Sequence, residues 1–307
     1  MFERILPMDE RHSPFGTGVI KGVTTAWLEE HLRDEKLTII DAQPDIHDYI
    51  RHHVPRALYL PERSLRMPLG GMPGKWIDDS MAQLIFRRLG LDASAPIVVY
   101  SGRGQFTGWG DGLGQTMVAY TLARFGCEKV HVLDGGLDKW LEEGRPTSQE
   151  FPKFKATRFR AKTQTDMFME MSEFKKAKDR TDTIFIDARP AKAYTGEKGP
   201  WIRNGHIPGA VNVPWRDLMR PENPHCLKPE EEVEQILTER GVTRDRMVIC
   251  TCGTGREATS EYILLKYYLG YRRVKLYEGS FTEWSAYPEN PVARGELPRE
   301  EEKKEAA

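Results

Sequence analysis

The stretch Arg246-Met-Val-Ile-Cys250-Thr-Cys252-Gly-Thr-Gly255-Arg-Glu-Ala-Thr259 concentrates the residues best suited to chemistry in this chain. Cys252 opens a short loop in which Gly253 and Gly255 tolerate positive φ, so several backbone N–H groups can converge on one point. Just ahead of a helix, such a point stabilises negative charge. A cysteine there is expected to have a lowered thiol pKa, and the thiolate is the nucleophilic form. The amides of Gly253, Thr254, Gly255, Arg256 and Glu257 could then hold a persulfide anion or a leaving oxyanion, which makes these five the candidate substrate-binding residues around the candidate nucleophile Cys252. The Arg256 guanidinium adds a permanent cation suited to a sulfur oxyanion. Cys250 reads as a buried strand residue or a resolving thiol, although its spacing to Cys252 is strained for a disulfide. Cys127 and Cys226 read as small buried hydrophobes. Cys250-Thr-Cys252 has no second Cys/His pair nearby, so no metal site is expected.

These residues need a strand before them and a helix after them. Met247 to Cys250 reads as a buried strand; Ala258, Tyr262, Leu265 and Leu269 fall at helical spacing, with Gly270 as a stop. The same words occur earlier in the chain. Val130-His-Val-Leu-Asp134-Gly135-Gly-Leu-Asp-Lys-Trp140 matches Val274-Lys-Leu-Tyr-Glu278-Gly279-Ser-Phe-Thr-Glu-Trp284 at a constant offset of 144. Thr38-Ile-Ile-Asp41-Ala-Gln-Pro44 matches Thr183-Ile-Phe-Ile-Asp187-Ala-Arg-Pro190, and His53-Val-Pro-Arg-Ala57 matches His206-Ile-Pro-Gly-Ala210. Ile97 to Tyr100 matches Met247 to Cys250, which sets Ser101-Gly102 against Thr251-Cys252. Four ordered matches indicate a duplication. Each copy alternates β-branched runs with helical stretches such as 83–89 and 231–240, the pattern of an α/β fold with a mainly parallel sheet flanked by helices. The expected domains are 18–148 and 165–293, joined by the polar, proline-bearing stretch 145–164. The charge-rich tail 299–307 is expected to fray.

Composition sets the outer limits. At 307 residues, 39% hydrophobic and 30% charged, the chain has material for two cores. A formal net charge of -1 gives no bulk attraction to nucleic acid or to a membrane surface. Residues 1–10 include acidic side chains and lack the apolar run of a signal peptide, and no stretch reaches the length of a membrane span. With four cysteines and no export signal, a cytoplasmic setting is expected.

Cys252-Gly-Thr-Gly-Arg-Glu257 resembles the six-residue active-site loop of the tandem-domain rhodaneses, the thiosulfate and 3-mercaptopyruvate sulfurtransferases. Gly205-His-Ile-Pro-Gly-Ala-Val-Asn-Val-Pro-Trp215 and Tyr277-Glu-Gly-Ser-Phe-Thr-Glu-Trp284 are similar to that family's flanking signatures. The resemblance implies two tandem rhodanese-like domains, of which the C-terminal copy is catalytic and the N-terminal copy an inactive partner that shapes the cleft. It implies transfer of sulfane sulfur through a Cys252 persulfide, from a small sulfur donor to cyanide, glutathione, thioredoxin, another thiol or a protein persulfide acceptor, without a dissociable cofactor. The Gly-rich stretch 102–114 lacks the spacing of a nucleotide fingerprint and reads as a flap.

The chain departs from the family at informative points. Cys-Gly-Thr-Gly is close to the mercaptopyruvate type of loop, whereas Arg256 brings in the charge favoured by the thiosulfate type. The family's substrate-binding arginine falls on Ala193, so Arg203 or Lys198, ahead of Gly205, stands as its replacement. Arg256 favours thiosulfate as donor. His206 is expected to make structural hydrogen bonds, and Asp187 and Arg189 to pair with each other. Two other readings compete. Cys250 and Arg256 have the Cys-x5-Arg spacing of cysteine phosphatases and arsenate reductases, but Glu257 follows where those enzymes need Ser or Thr, and it would repel a phosphate dianion. A non-catalytic scaffold on the same fold would be expected to have lost Cys252 and its glycines.

Overall fold

In the computed structural model, the described residues are 12–104, 108 and 110–298. The expectations for the first ten residues, for the tail from 299 and for part of the Gly-rich stretch (105–107 and 109) lie outside them.

The first copy runs β1 (Ile20–Val23), α1 (Thr25–Glu30), β2 (Thr38–Asp41), α2 (Ile46–Arg51), β3 (Leu58–Tyr59), β4 (Arg66–Leu69), β5 (Met72–Trp76), α3 (Asp79–Arg88), β6 (Ile97–Tyr100), α4 (Leu113–Arg124), β7 (Val130–Leu133) and α5 (Gly136–Glu142). The second runs β8 (Phe168–Met169), α6 (Met171–Ala177), β9 (Thr183–Asp187), α7 (Ala191–Tyr194), β10 (Val211–Asn212), α8 (Glu230–Glu239), β11 (Met247–Thr251), α9 (Glu257–Ile263), β12 (Val274–Tyr277) and α10 (Ser280–Ala286). Each copy builds a five-stranded parallel sheet, in the orders β1-β7-β6-β2-β3 and β10-β9-β11-β12-β8. Read from one edge, the two orders superimpose strand for strand. Strands β6 and β11 are central and buried on both faces, as expected for apolar runs in a parallel sheet. The antiparallel ribbon β4–β5 belongs to the first copy alone.

The compact units are 1–164 with 219–231 and 263–270, and 165–218 with 232–262 and 271–307. In the first, Val23, Leu28, Ile39, Val98, Tyr100, Leu133 and Trp140 form one buried cluster. In the second, Phe174, Phe185, Ile249, Tyr277, Phe281 and Trp284 do the same. The duplication extends to buried hydrogen bonds. Tyr49 donates to Ala57 O and stacks on His53 at 4.2 Å; Tyr194 donates to Ala210 O and stacks on His206 at 3.8 Å. Trp140 and Trp284 each donate an indole N–H to a proline carbonyl, Pro146 and Pro291.

Register corrects one sequence match. Tyr100 lies opposite Asp41, and Thr251 lies opposite Asp187, so Tyr100 corresponds to Thr251 and Ser101 to Cys252. The expected pairing of Gly102 with Cys252 is one residue out. Its cause is that β11 is a residue longer than β6, which shifts a match that sets Ile97 against Met247. The helix expected through Leu269 also changes character. After Ile263 it loosens into a π-helical turn, Leu264–Tyr268, before Gly270 turns the chain at φ 71°. Among the described residues no helix is long and apolar enough to cross a membrane.

Candidate active site

Cys252 sits immediately past the C-terminal end of the central strand β11, the usual place for ligands in open parallel sheets. Four neighbours, Ile186, Ser280, Phe281 and Thr282, fix the loop that it opens. Thr251 Oγ1 donates to Ile186 O (2.9 Å), tying the strand end to β9. The Cys252 N–H donates to Ser280 Oγ (3.1 Å), and that hydroxyl donates on to Tyr277 O (2.9 Å). The Cys252 carbonyl accepts from the Phe281 N–H at 2.9 Å, and the Gly253 carbonyl accepts from the N–H and hydroxyl of Thr282 at 2.9 and 2.8 Å. Ser280 adopts φ 49°, the left-handed region that non-glycine residues avoid. Gly255, at φ 82°, makes the return turn, and Thr259 Oγ1 donates to Arg256 O (2.8 Å) to close the loop onto α9. Thr254 is exposed, while Arg256 and Glu257 are half-buried.

The thiol does not have the expected acidity. Cys252 is fully buried, and burial pushes its pKa well above the ordinary thiol value. The Glu257 carboxylate pushes in the same direction by its charge and by a hydrogen bond to the thiol, and Asp187 adds to this; the Ala258 N–H, bonded to the sulfur, opposes them. The expectation of a lowered pKa took account of the loop amides but not of desolvation or of a carboxylate five residues on.

Beneath the loop lies a buried ion pair. Arg189 Nε donates to both Asp187 carboxylate oxygens (2.9 and 3.1 Å), and Nη2 donates to Asp187 Oδ2 (2.6 Å) and Gly205 O (2.8 Å). The guanidinium faces the rings of Trp201 and Phe281, 4.8 and 4.2 Å from their centroids, and those two rings meet edge to face at 5.3 Å. Its Nη1 is buried without a hydrogen-bond partner. Trp201 donates to Thr282 Oγ1 (2.8 Å), and its ring covers Gly253 so closely that a β-carbon there would lie 2.8 Å from Cζ2. Glycine at position 253 is thus required by a close approach. Asp187 and Arg189 pair as expected, and they support the floor of the loop.

Cys250 and Glu261 lie deeper. Cys250 is wholly buried, and burial followed by the nearby Glu261 charge raises its thiol. Both carboxyl oxygens of Glu261 are buried and unbonded, and burial together with the charges of Asp187 and Glu257 pushes its carboxyl well above the carboxylate range. Cys127 and Cys226 are buried too, and burial drives each thiol up to about 12.

The two residues offered in place of the family's arginine differ in how they are engaged. The Arg203 guanidinium is committed to carbonyls in the last turn of α10 and just beyond it, donating to Ser285 O (2.9 Å), Tyr287 O (2.6 Å) and Asn290 O (2.7 Å). It secures a helix terminus, which corrects its candidacy as a substrate ligand. Lys198 is exposed, and its backbone N–H bonds Lys192 O. Ala193 is half-buried in α7. His206 is structural, as expected: it is buried, with Nδ1 3.0 Å from Tyr194 O. The sequence reading missed Trp201, Ser280 and Glu261. Trp201 lies in an irregular loop without periodicity, Ser280 stands where the first copy has a glycine, and Glu261 looks like any helix-surface glutamate.

A model described as a rhodanese-like domain matches the chain twice, at residues 24–143 and 170–287. A putative thiosulfate sulfurtransferase of Synechococcus elongatus is 36% identical over 274 residues, covering 87% of this chain and 83% of that protein. A sulfur carrier protein of Thermus thermophilus, TtuD, is 28% identical over 291 residues, covering 89% and 96%. Among solved structures, SseA of Escherichia coli, described as a 3-mercaptopyruvate sulfotransferase with the rhodanese fold, matches with a TM-score of 0.74 at 28% identity, over 85% of this chain and 98% of SseA.

Proposed function

Because this chain belongs to the rhodanese family of sulfurtransferases, we propose that it moves sulfane sulfur from thiosulfate to a thiophilic acceptor through a persulfide on Cys252. The observation that carries this reading is the position of Cys252: it ends the central strand, opens a glycine-bearing loop and receives a backbone N–H on its sulfur. The sulfur attacks the outer sulfur of thiosulfate, and sulfite leaves. The amides of Gly253 to Glu257 then hold the persulfide, and an acceptor thiol or cyanide removes the outer sulfur. The N-terminal copy is inactive in this scheme, since Ser101 takes the place of the cysteine.

Thiosulfate is favoured over 3-mercaptopyruvate because Arg256 places a cation in the loop, and a dianionic donor gains more from it than a monocarboxylate does. A protein acceptor fits the same chemistry, and the Thermus relative is named a sulfur carrier. Comparing the two donors with Arg256→Ala tests the choice. A larger loss with thiosulfate is expected; equal losses would remove the reason for preferring it.

A further inference from the structure

Resting on the sulfurtransferase reading, we propose that Thr282 is a positioning residue that sets which way the Gly253–Thr254 peptide faces, and so turns the Thr254 N–H to the sulfur held by the loop. Three successive residues at the start of α10 hold three successive peptides of that loop. Ser280 Oγ accepts the Cys252 N–H (3.1 Å), and the Phe281 N–H donates to Cys252 O (2.9 Å). Thr282 donates to Gly253 O from both its N–H (2.9 Å) and its hydroxyl (2.8 Å). The direction of that hydroxyl is fixed in turn: Thr282 Oγ1 accepts the Trp201 indole N–H at 2.8 Å, which leaves its own proton for Gly253 O. A trans peptide is planar, so its C=O and N–H point opposite ways. With the Gly253 oxygen drawn onto α10, the Thr254 N–H points away from α10.

The first copy has the opposite arrangement at the same place. Asp138 stands where the second copy has Thr282, at the constant offset of 144 that aligns 130–140 with 274–284. The Gly102–Arg103 peptide corresponds to Gly253–Thr254, since Ser101 corresponds to Cys252. Here the N–H meets the helix: Arg103 N lies 3.1 and 3.4 Å from the two Asp138 carboxylate oxygens. The Gly102 oxygen faces Gly110, where an added β-carbon would collide with it. The same peptide is thus turned over between the copies. A carboxylate only accepts and takes an N–H, whereas a threonine hydroxyl can donate and takes a C=O. The preceding hold differs too: Gly136 replaces Ser280, and the Ser101 N–H goes to Gln115 Oε1 (3.1 Å). Of the three contacts only the middle one, Leu137 N–H to Ser101 O, is common to both copies.

The orientation matters because sulfur uptake leaves a charge to be held. Cys252 Sγ bonds the outer sulfur of thiosulfate, the sulfur–sulfur bond of thiosulfate breaks with its electron pair leaving on sulfite, and the thiol proton departs with the sulfite. The loop then carries a persulfide anion, which each amide N–H pointing at it stabilises. Turning the 253–254 peptide over would withdraw one N–H and present a carbonyl oxygen to the anion instead.

The test uses the full chain with Thr282→Val, Thr282→Ser and Thr282→Asp. Each protein is equilibrated with thiosulfate and sulfite at one fixed ratio, and the proportion of persulfide to free protein is read by intact mass, with urea unfolding alongside. Thr282→Asp, which installs the first copy's residue, should lower that proportion by about 10-fold or more, the worth of a hydrogen bond to a charged group. Thr282→Val should lower it roughly 3-fold to 10-fold, and Thr282→Ser should recover most of that loss. A crystal structure of Thr282→Asp should show the Thr254 N–H on the introduced carboxylate. Equal proportions in wild type and Thr282→Val, no recovery with Thr282→Ser, or a Gly253 oxygen still facing residue 282 in Thr282→Asp would overturn the assignment. If Thr282→Asp does not fold, the Val and Ser variants decide it. Should wild type take no sulfur from thiosulfate or 3-mercaptopyruvate, the sulfurtransferase reading fails, and the orientation of the peptide alone decides for or against Thr282.

Discussion

Ser101 and Cys252 occupy the same position in the two copies. Each follows the central strand by one residue, and the carbonyl of each accepts the N–H of the second residue of the last helix of its copy: Leu137 of α5 to Ser101 O at 2.8 Å, and Phe281 of α10 to Cys252 O at 2.9 Å. The surroundings then diverge. In the second copy a short loop wraps back to put Ala258 and Glu257 on the sulfur. In the first, the Ser101 N–H donates to Gln115 Oε1 (3.1 Å), its hydroxyl donates to Ala42 O (3.3 Å), and the following chain folds back on itself through Gly110 N–H to Arg103 O (2.9 Å). The segment 223–227 also packs onto the Gly135 turn, through Asn223 and His225.

Restoring the missing sulfur should therefore not restore a site. The double variant Ser101→Cys, Cys252→Ser is expected to gain no sulfur from thiosulfate by intact mass. One sulfur on residue 101 would show that the first copy lacks only its nucleophile.

Cys250 is a packing residue on this account. Cys250→Ser should keep turnover while lowering stability by about 1–3 kcal/mol, the cost of a poorly bonded hydroxyl in a fully buried place. Urea unfolding and a turnover assay measure the two effects. Loss of turnover in a folded, stable Cys250→Ser would make Cys250 part of the chemistry.

Arg189 holds the floor of the loop through a buried pair with Asp187, and removing one partner strands the other. Arg189→Ala should destabilise the chain by about 3–5 kcal/mol, with Trp201 fluorescence changed because the guanidinium lies against that ring. A loss below about 1 kcal/mol, the range of an exposed pair, would contradict this.

Glu261 gives the fold a pH dependence of definite sign. Its carboxyl is raised above the ordinary carboxylate value, so the folded chain binds a proton that the unfolded chain releases. The stability that this contributes is complete below the ordinary carboxylate range and is lost as pH rises above it, at up to about 1.4 kcal/mol per pH unit. Glu261→Gln removes the titration while keeping the shape. Measured against wild type, its relative stability should improve steadily with rising pH. A difference that stays constant with pH would place an ionised carboxylate at 261.

The sequence made the site's location legible, because a cysteine followed by alternating glycines after a β-branched run has few structural readings. The duplication was legible for the same reason: acidic-Gly turns and tryptophans recur as whole words. The acidity of Cys252 was not, since it depends on depth and on which side chain of the next helix reaches back to it. The place of Ser101 was hidden by the one extra residue in β11, and register became visible only when Asp41 and Asp187 were set against their partner strands. Arg203 looked like a ligand because a cation beside a signature motif is an ambiguous sign, and the carbonyls that it binds lie more than eighty residues away in sequence.

The central claim is a sulfur held on Cys252, and the intact mass of the reduced protein before and after thiosulfate tests it most directly. Wild type should gain one sulfur atom that cyanide removes, and Cys252→Ser should gain none. A gain that persists in Cys252→Ser, or no gain in wild type with either thiosulfate or 3-mercaptopyruvate, would contradict the account.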